Sequence, residues 1–120
     1  MTVHKKILLV EDDEATRLGL TTLLERAGYD VVATESVQQG RSVLEEALPD
    51  LLITDVRLGA FNGLQLIAMS PRPIPAIVTT GFPDPVLEAE ARHCGAKFLL
   101  KPIEPAGLLT LVAELLAAGP

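Results

Sequence analysis

Apolar and polar positions alternate between two periods along this chain. Lys6-Ile7-Leu8-Leu9-Val10 is a short apolar run that ends in Glu11-Asp12-Asp13, the pattern of a strand buried on both faces. From Glu14 to Ala27 the apolar residues Leu20, Leu23, Leu24 and Ala27 recur at helical spacing, and Gly28 marks a stop. Val31 to Ala33 reads as a second strand. Ser36 then caps a helix whose inner stripe is Val37, Gly40, Leu44, Ala47 and Leu48, ended by Pro49. Leu51 to Thr54 is a third strand, again closed by an acid, Asp55. Asn62-Gly63 opens a short helix to Met69, and the prolines 71, 73 and 75 exclude helix beyond it. Ala76 to Thr79 is a fourth strand. Asp84 caps a helix with Pro85 in its first turn and Gly95 after Cys94. Lys97 to Leu100 is a fifth strand, and Pro105 starts a last helix to about Ala118.

Five apolar strands alternating with five helices imply an α/β fold: one doubly wound parallel sheet covered on both faces. In the common strand order 2-1-3-4-5, strands one and three are neighbours, and ligands bind beyond the carboxyl ends of such strands. Glu11, Asp12 and Asp55 would then converge there, with Lys101-Pro102 arriving after strand five. Carboxylates gathered in one pocket repel and call for a cation. Oxygen donors with open positions suit Mg²⁺, which also takes a phosphate oxygen. An ionised aspartate beside that cation and a lysine has the chemistry to become an aspartyl-phosphate. Each feature also has a plain reading: an acid cluster at a helix start, a capping aspartate, a surface lysine, a strand-end threonine. Their joint occurrence at the right strand ends favours the shared site.

Composition narrows the field. The chain has 120 residues, 48% of them hydrophobic, which suits one domain spanning 1–120 with a real core. The formal charge is −6 and no basic stripe occurs, so direct nucleic-acid binding by this segment is not expected. The one cysteine, Cys94, allows no internal disulfide and fits a reducing cytosol. It is expected to be buried or half-buried in its helix. Met1 to Lys6 carries no signal-peptide pattern, and no apolar run is long enough for a bilayer. His4 and His93 read as surface residues, and the Ala117-Ala118-Gly119-Pro120 ending as a terminus or the start of a linker.

The ordered set Ile7-Leu8-Leu9-Val10-Glu11-Asp12-Asp13-Glu14, Asp55-Val56-Arg57-Leu58-Gly59-Ala60-Phe61-Asn62-Gly63, Val78-Thr79-Thr80-Gly81 and Gly95-Ala96-Lys97-Phe98-Leu99-Leu100-Lys101-Pro102 closely resembles the response-regulator receiver family, with its CheY-like fold. The resemblance covers essentially the whole chain. It implies a phosphorylation-controlled signalling module of a two-component phosphorelay rather than an enzyme with turnover on outside substrates. Asp55 would be the phospho-acceptor, supplied by a sensor histidine kinase or a phosphotransfer protein in the cytoplasm. Asp12 would hold Mg²⁺ directly, Glu11 through water, and the backbone carbonyl of Arg57 would complete the protein ligands with Asp55. Thr80 would hydrogen-bond the phosphoryl group and Lys101 would pair with it. Phe98 would be the aromatic switch, and the Lys101-Pro102 bond would be cis. Phosphorylation would draw in Thr80, open space for Phe98 and switch the face of helix four, strand five and helix five.

The chain departs from the family pattern in places. Gly59 stands where a proline is usual, and only 25 residues separate Asp55 from Thr80. Arg57 sets a large cation beside the acceptor, which implies shielding and an altered dephosphorylation rate. The last helix carries Leu108, Val112 and Leu115 in one row with Leu109, Leu111 and Leu116 on other sides. It reads either as exposed leucine or as a face for a homodimer or an output segment. Three rivals are weaker. A phosphatase with an aspartyl nucleophile needs a second acid two residues on, where Arg57 stands. A flavin carrier needs a Ser/Thr/Gly-rich loop after strand one. A pseudo-receiver would lack an acid, the threonine or the lysine, and all are present.

Overall fold

The computed structural model describes residues 4–118; the first three residues and the Gly119-Pro120 end of the expected terminus lie outside the described residues. The elements in order are β1 (Lys6–Val10), α1 (Glu14–Arg26), β2 (Asp30–Thr34), α2 (Val37–Glu46), β3 (Leu51–Asp55), β4 (Arg57–Leu58), β5 (Phe61–Asn62), α3 (Leu64–Met69), β6 (Ala76–Thr80), α4 (Pro85–His93), β7 (Lys97–Leu100) and α5 (Pro105–Ala118). The main sheet is parallel in the order β2-β1-β3-β6-β7. Its five strands are the five expected ones, in the expected order.

Side-chain alternation divides the core in two. Leu8, Val10, Leu52 and Val78 point to one face, where Val37 and Leu44 of α2, Leu64 and Leu66 of α3 and Ala91 of α4 cover them. Ile7, Leu9, Leu51, Ile53 and Ile77 point to the other, under Leu20 and Leu24 of α1 and Leu108 and Val112 of α5. The central strands β3 and β6 are buried at every position. Each large aliphatic side chain removed from water here contributes about 1.5–3 kcal/mol before entropy is counted. The leucines of α5 are accounted for by the second core: Leu109, Leu111, Leu115 and Leu116 are half-buried and pack against it, so this helix does not present an open leucine surface.

Three sequence expectations need correction. Leu48 does not join the inner stripe of α2. The helix ends at Glu46, and Leu48 turns into the left-handed region (φ 46°), which leaves it exposed. Cys94 is exposed, because α4 ends at His93 and the chain turns away before the stripe of Ala91 reaches it. The third correction is an addition: β4 and β5 form a small antiparallel hairpin directly after β3, pairing Arg57 with Asn62 and Leu58 with Phe61. Its two-residue turn places Gly59 at φ +63°, a conformation closed to proline, which explains the glycine at this position.

The shortened connection before β6 is held by local bonds. The Arg72 guanidinium donates to the carbonyls of Leu48 (3.0 Å) and Pro49 (3.3 Å), and the Ser70 hydroxyl donates to the Arg72 carbonyl. Helix α3 has only six residues, but Asn62 and Gln65 secure its start. The Leu64 N–H donates to Asn62 Oδ1 at 2.8 Å, and the Asn62 N–H donates to Gln65 Oε1 at 3.0 Å.

The two-layer packing predicts a sharp contrast within α1. Leu24→Ala, at a fully buried position, is expected to cost about 2–5 kcal/mol, while Leu18→Ala, at an exposed one, is expected to change stability by less than about 0.5 kcal/mol. Urea unfolding followed by circular dichroism measures both as shifts in midpoint at constant slope.

Candidate functional site

Parallel pairing brings the carboxyl ends of β1, β3 and β6 side by side. Val10 is level with Thr54, and Asp55 is level with Thr79. The residue that follows β1, Glu11, and the last residue of β3, Asp55, therefore face the same space. Both are buried, at 1% and 8% exposure. Thr80 at the end of β6 is buried as well, while Asp12 is exposed at the rim.

Lys101 closes the arrangement. Its Nζ donates to Glu11 Oε1 and to Asp55 Oδ2, each at 2.6 Å, and its backbone N–H donates to the Thr80 carbonyl at 2.7 Å. The second oxygen of each acid is also held: Asp13 N–H donates to Glu11 Oε2 at 3.0 Å and Arg57 N–H donates to Asp55 Oδ1 at 2.9 Å. The Lys101-Pro102 peptide is cis. Burial pushes the Glu11 carboxyl above the usual glutamate value, an effect the Lys101 hydrogen bond opposes. Burial alone would lower the Lys101 ammonium, but its bonds to Asp55 and Glu11 outweigh that and hold it above the usual lysine value. Asp13 has a different task. It caps α1, accepting from the N–H and the hydroxyl of Thr16, and these bonds keep its carboxyl below the usual aspartate value.

Glu11, Asp12 and Asp55 each offer a carboxylate oxygen, all within 4.8 Å of one another. Oxygens on one Mg²⁺ lie at most about 4.2 Å apart, twice the metal–oxygen distance, so the three need to draw together only slightly. Three carboxylates against one ammonium leave an excess of two negative charges, which matches a divalent cation and not a second lysine. The set contains no sulfur or imidazole, so it favours a hard cation over zinc. Arg57 contributes no side-chain donor to this cluster.

The remaining expected residues sit around this centre. Phe98 lies on β7 level with Val78, half-buried against the first core. The Thr80 hydroxyl is turned to the loop that follows it. Thr80 Oγ1 lies 3.4 Å from the Phe82 carbonyl and accepts from the Phe82 N–H at 3.3 Å. Two contributors escaped the sequence reading. Phe82 carries the Arg57 guanidinium over its ring, 5.7 Å from the centroid. Gly63 lies so close to the Asp55 carbonyl and the Thr54 hydroxyl that a Cβ there would overlap both. The Asn62-Gly63 pair was read as the start of a short helix, but only the folded chain reveals that the glycine touches the Asp55 backbone.

These features define a class: an α/β domain with an acid cluster and a lysine at the switch point of its sheet. The sequence model described as the response regulator receiver domain matches residues 7–113, and the chain belongs to that family. It is 35% identical over 114 residues to the response regulator protein FleR of Pseudomonas aeruginosa, covering 91% of this chain and 24% of that protein. It is 32% identical to a 14.6 kDa protein from the sodA1 3′ region of Leptolyngbya boryana, covering 95% of this chain and 92% of that one. The chain thus spans about a quarter of the first relative and nearly all of the second. Among solved structures, the CheY-like response regulator receiver domain protein of Methanospirillum hungatei superposes with a TM-score of 0.91 at 28% identity, over 97% of this chain and 96% of that one. Phosphoryl acceptance is the function of this family, and the chain is a signalling receiver domain. No helix among the described residues is long and apolar enough to cross a membrane.

The close approach at Gly63 yields a prediction. Gly63→Ala must displace the Asp55 carbonyl and is expected to destabilise the fold by about 1–3 kcal/mol. Gly19→Ala, with open space at its Cβ in the middle of α1, is expected to stabilise slightly. Thermal unfolding of the two variants beside the parent checks the difference in sign.

Proposed function

We propose that this chain takes a phosphoryl group onto Asp55 from a phosphohistidine of a sensor histidine kinase or phosphotransfer protein. The observation that carries this reading is the double grip of Lys101 on Glu11 and Asp55 at the end of the sheet. A buried carboxylate paired with an ammonium, and oriented at both oxygens, is a prepared nucleophile. An Asp55 oxygen forms the new P–O bond as the P–N bond to the donor imidazole breaks, and the electron pair leaves with the ring. Lys101, already at the Asp55 carboxylate, is placed to pair with the charge that arrives.

The donor set fits Mg²⁺, which Asp12 and Asp55 would hold directly, Glu11 through water, and Arg57 through its backbone carbonyl. When bound it supplies charge neutralisation for the phosphoryl oxygens. Thr80 follows the strand partner of Asp55 by one residue, and its hydroxyl would turn from the Phe82 backbone toward the phosphoryl group. Phe98 would then repack inward, altering the surface of α4, β7 and α5 as the output face. A cavity of about 220 Å³ between α4 and β7, lined by Pro83, Asp84, Pro85, Glu88, Phe98, Leu99 and Leu100, leaves the ring a place to move from or into. We read residues 1–120 as one receiver unit acting in the cytoplasm, with hydrolysis of its own acyl phosphate as its only chemistry beyond acceptance. The exposed Leu100 on β7 supports the same face as the site where a second copy of the chain would pack. A species that sediments as a monomer at high concentration, phosphorylated or not, removes that dimer.

Incubation with acetyl phosphate and Mg²⁺, read by intact-mass spectrometry, is expected to add one phosphoryl group. The gain should vanish in Asp55→Asn and on chelation of the metal. A gain that survives in Asp55→Asn places the acceptor elsewhere, and no gain in the parent makes the chain a binding module without phosphorylation. The exposed Arg57 side chain is expected to set the lifetime of the acyl phosphate, with Arg57→Ala changing it severalfold. An unchanged lifetime removes that role.

A further inference from the structure

The Arg57–Phe82 contact joins the β4–β5 hairpin after Asp55 to the loop after Thr80. Arg57 lies two residues past Asp55, and Phe82 lies two residues past Thr80. Their parent strands β3 and β6 are paired, so the contact spans the carboxyl ends of both. The guanidinium carbon sits 5.7 Å from the ring centroid, and Phe82 is 66% exposed, so neither core packing nor burial fixes the ring. The backbone of the same residue holds Thr80 by accepting from and donating to its hydroxyl.

We propose that Arg57 and Phe82 form a latch on the resting state, in which the guanidinium pins the Phe82 loop and thereby keeps the Thr80 hydroxyl turned away from Asp55. Both act as positioning residues: neither side chain needs to touch the phosphoryl group. The inference rests on Asp55 being the acceptor and Thr80 its partner. It adds a residue pair that sets how readily the hydroxyl is released. The Arg57 N–H donates to Asp55 Oδ1, so the latch is anchored on the acceptor itself and any movement of Asp55 on phosphorylation is felt at the ring. An exposed cation–π contact supports a shift in the resting equilibrium of about two- to fivefold.

Phe82→Leu is the decisive variant, because it removes the ring and leaves every charge in place. The initial rate of phosphorylation by acetyl phosphate and Mg²⁺, followed by intact mass, is expected to rise about two- to fivefold in this variant. Arg57→Gln also alters the charge near an anionic donor, so its rate alone does not decide. The latch requires that its effect differ between the parent and the Phe82→Leu background, by the factor that Phe82→Leu itself produces. In unphosphorylated Arg57→Gln, where the ring remains, the Thr80 methyl resonance is expected to move toward its position in the phosphorylated parent. A parent-like rate in Phe82→Leu, or effects of the two substitutions that simply multiply, overturns the latch while leaving the acceptor reading intact. A parent that gains no phosphoryl group overturns both.

Discussion

Two carboxylates buried at the end of a sheet would push the strands that carry them apart, and the site exists because one ammonium stands between them. Glu11 and Asp55 come from neighbouring strands with 1% and 8% exposure, and Lys101 reaches both at 2.6 Å. In a low-dielectric setting the repulsion of two such charges is far stronger than at the surface. Removing one partner of such a group costs more than the contact itself gains, because the remaining charge is left without compensation. The ammonium also ties the end of β7, on the edge of the sheet, to the centre. The same cation therefore serves packing and chemistry, and the surplus negative charge it leaves is what makes the pocket receptive to a divalent metal.

Everything else in the fold serves to bring these three side chains together. Parallel pairing aligns the carboxyl ends of the strands, and the two aliphatic cores hold them there from both faces. Asp13 and Arg57 add backbone N–H donors that fix the outer oxygens, so neither acid rotates freely. Gly63 lets the start of α3 press against the Asp55 carbonyl. The rim is looser: Asp12, Phe61, Phe82 and the Arg57 side chain are exposed, which is where a donor protein and a metal would arrive.

Much of this was legible along the chain because it depends on period and position alone. Strands such as β3 open on an apolar run, Leu51-Leu52-Ile53, helices such as α2 carry a stripe between a serine cap and a proline, and acids at strand ends can only meet at one edge of a parallel sheet. What escaped depends on the backbone's local geometry or on contacts between loops. The stripe of α2 overran to Leu48 because periodicity does not register that the helix stops at Glu46. Cys94 was expected inside because a free cysteine in a helix is usually buried, but the helix ends one residue earlier and the thiol is exposed. The β4–β5 hairpin is too short for alternation to show, and its only trace was Gly59. The Arg57–Phe82 contact joins residues far apart in the chain, and no periodic signal reports it.

The central claim is that Asp55, Lys101 and Thr80 form one phosphoryl-binding group with a metal held by the acids. A crystal structure with Mg²⁺ and beryllofluoride, a stable mimic of the acyl phosphate, tests this most directly. The account predicts beryllium bonded to an Asp55 carboxylate oxygen, fluorines within hydrogen-bond distance of Lys101 Nζ and Thr80 Oγ1, and the metal on Asp12 and Asp55. Beryllofluoride bound at another residue, or bound at Asp55 with Thr80 still turned to the Phe82 backbone, would contradict it.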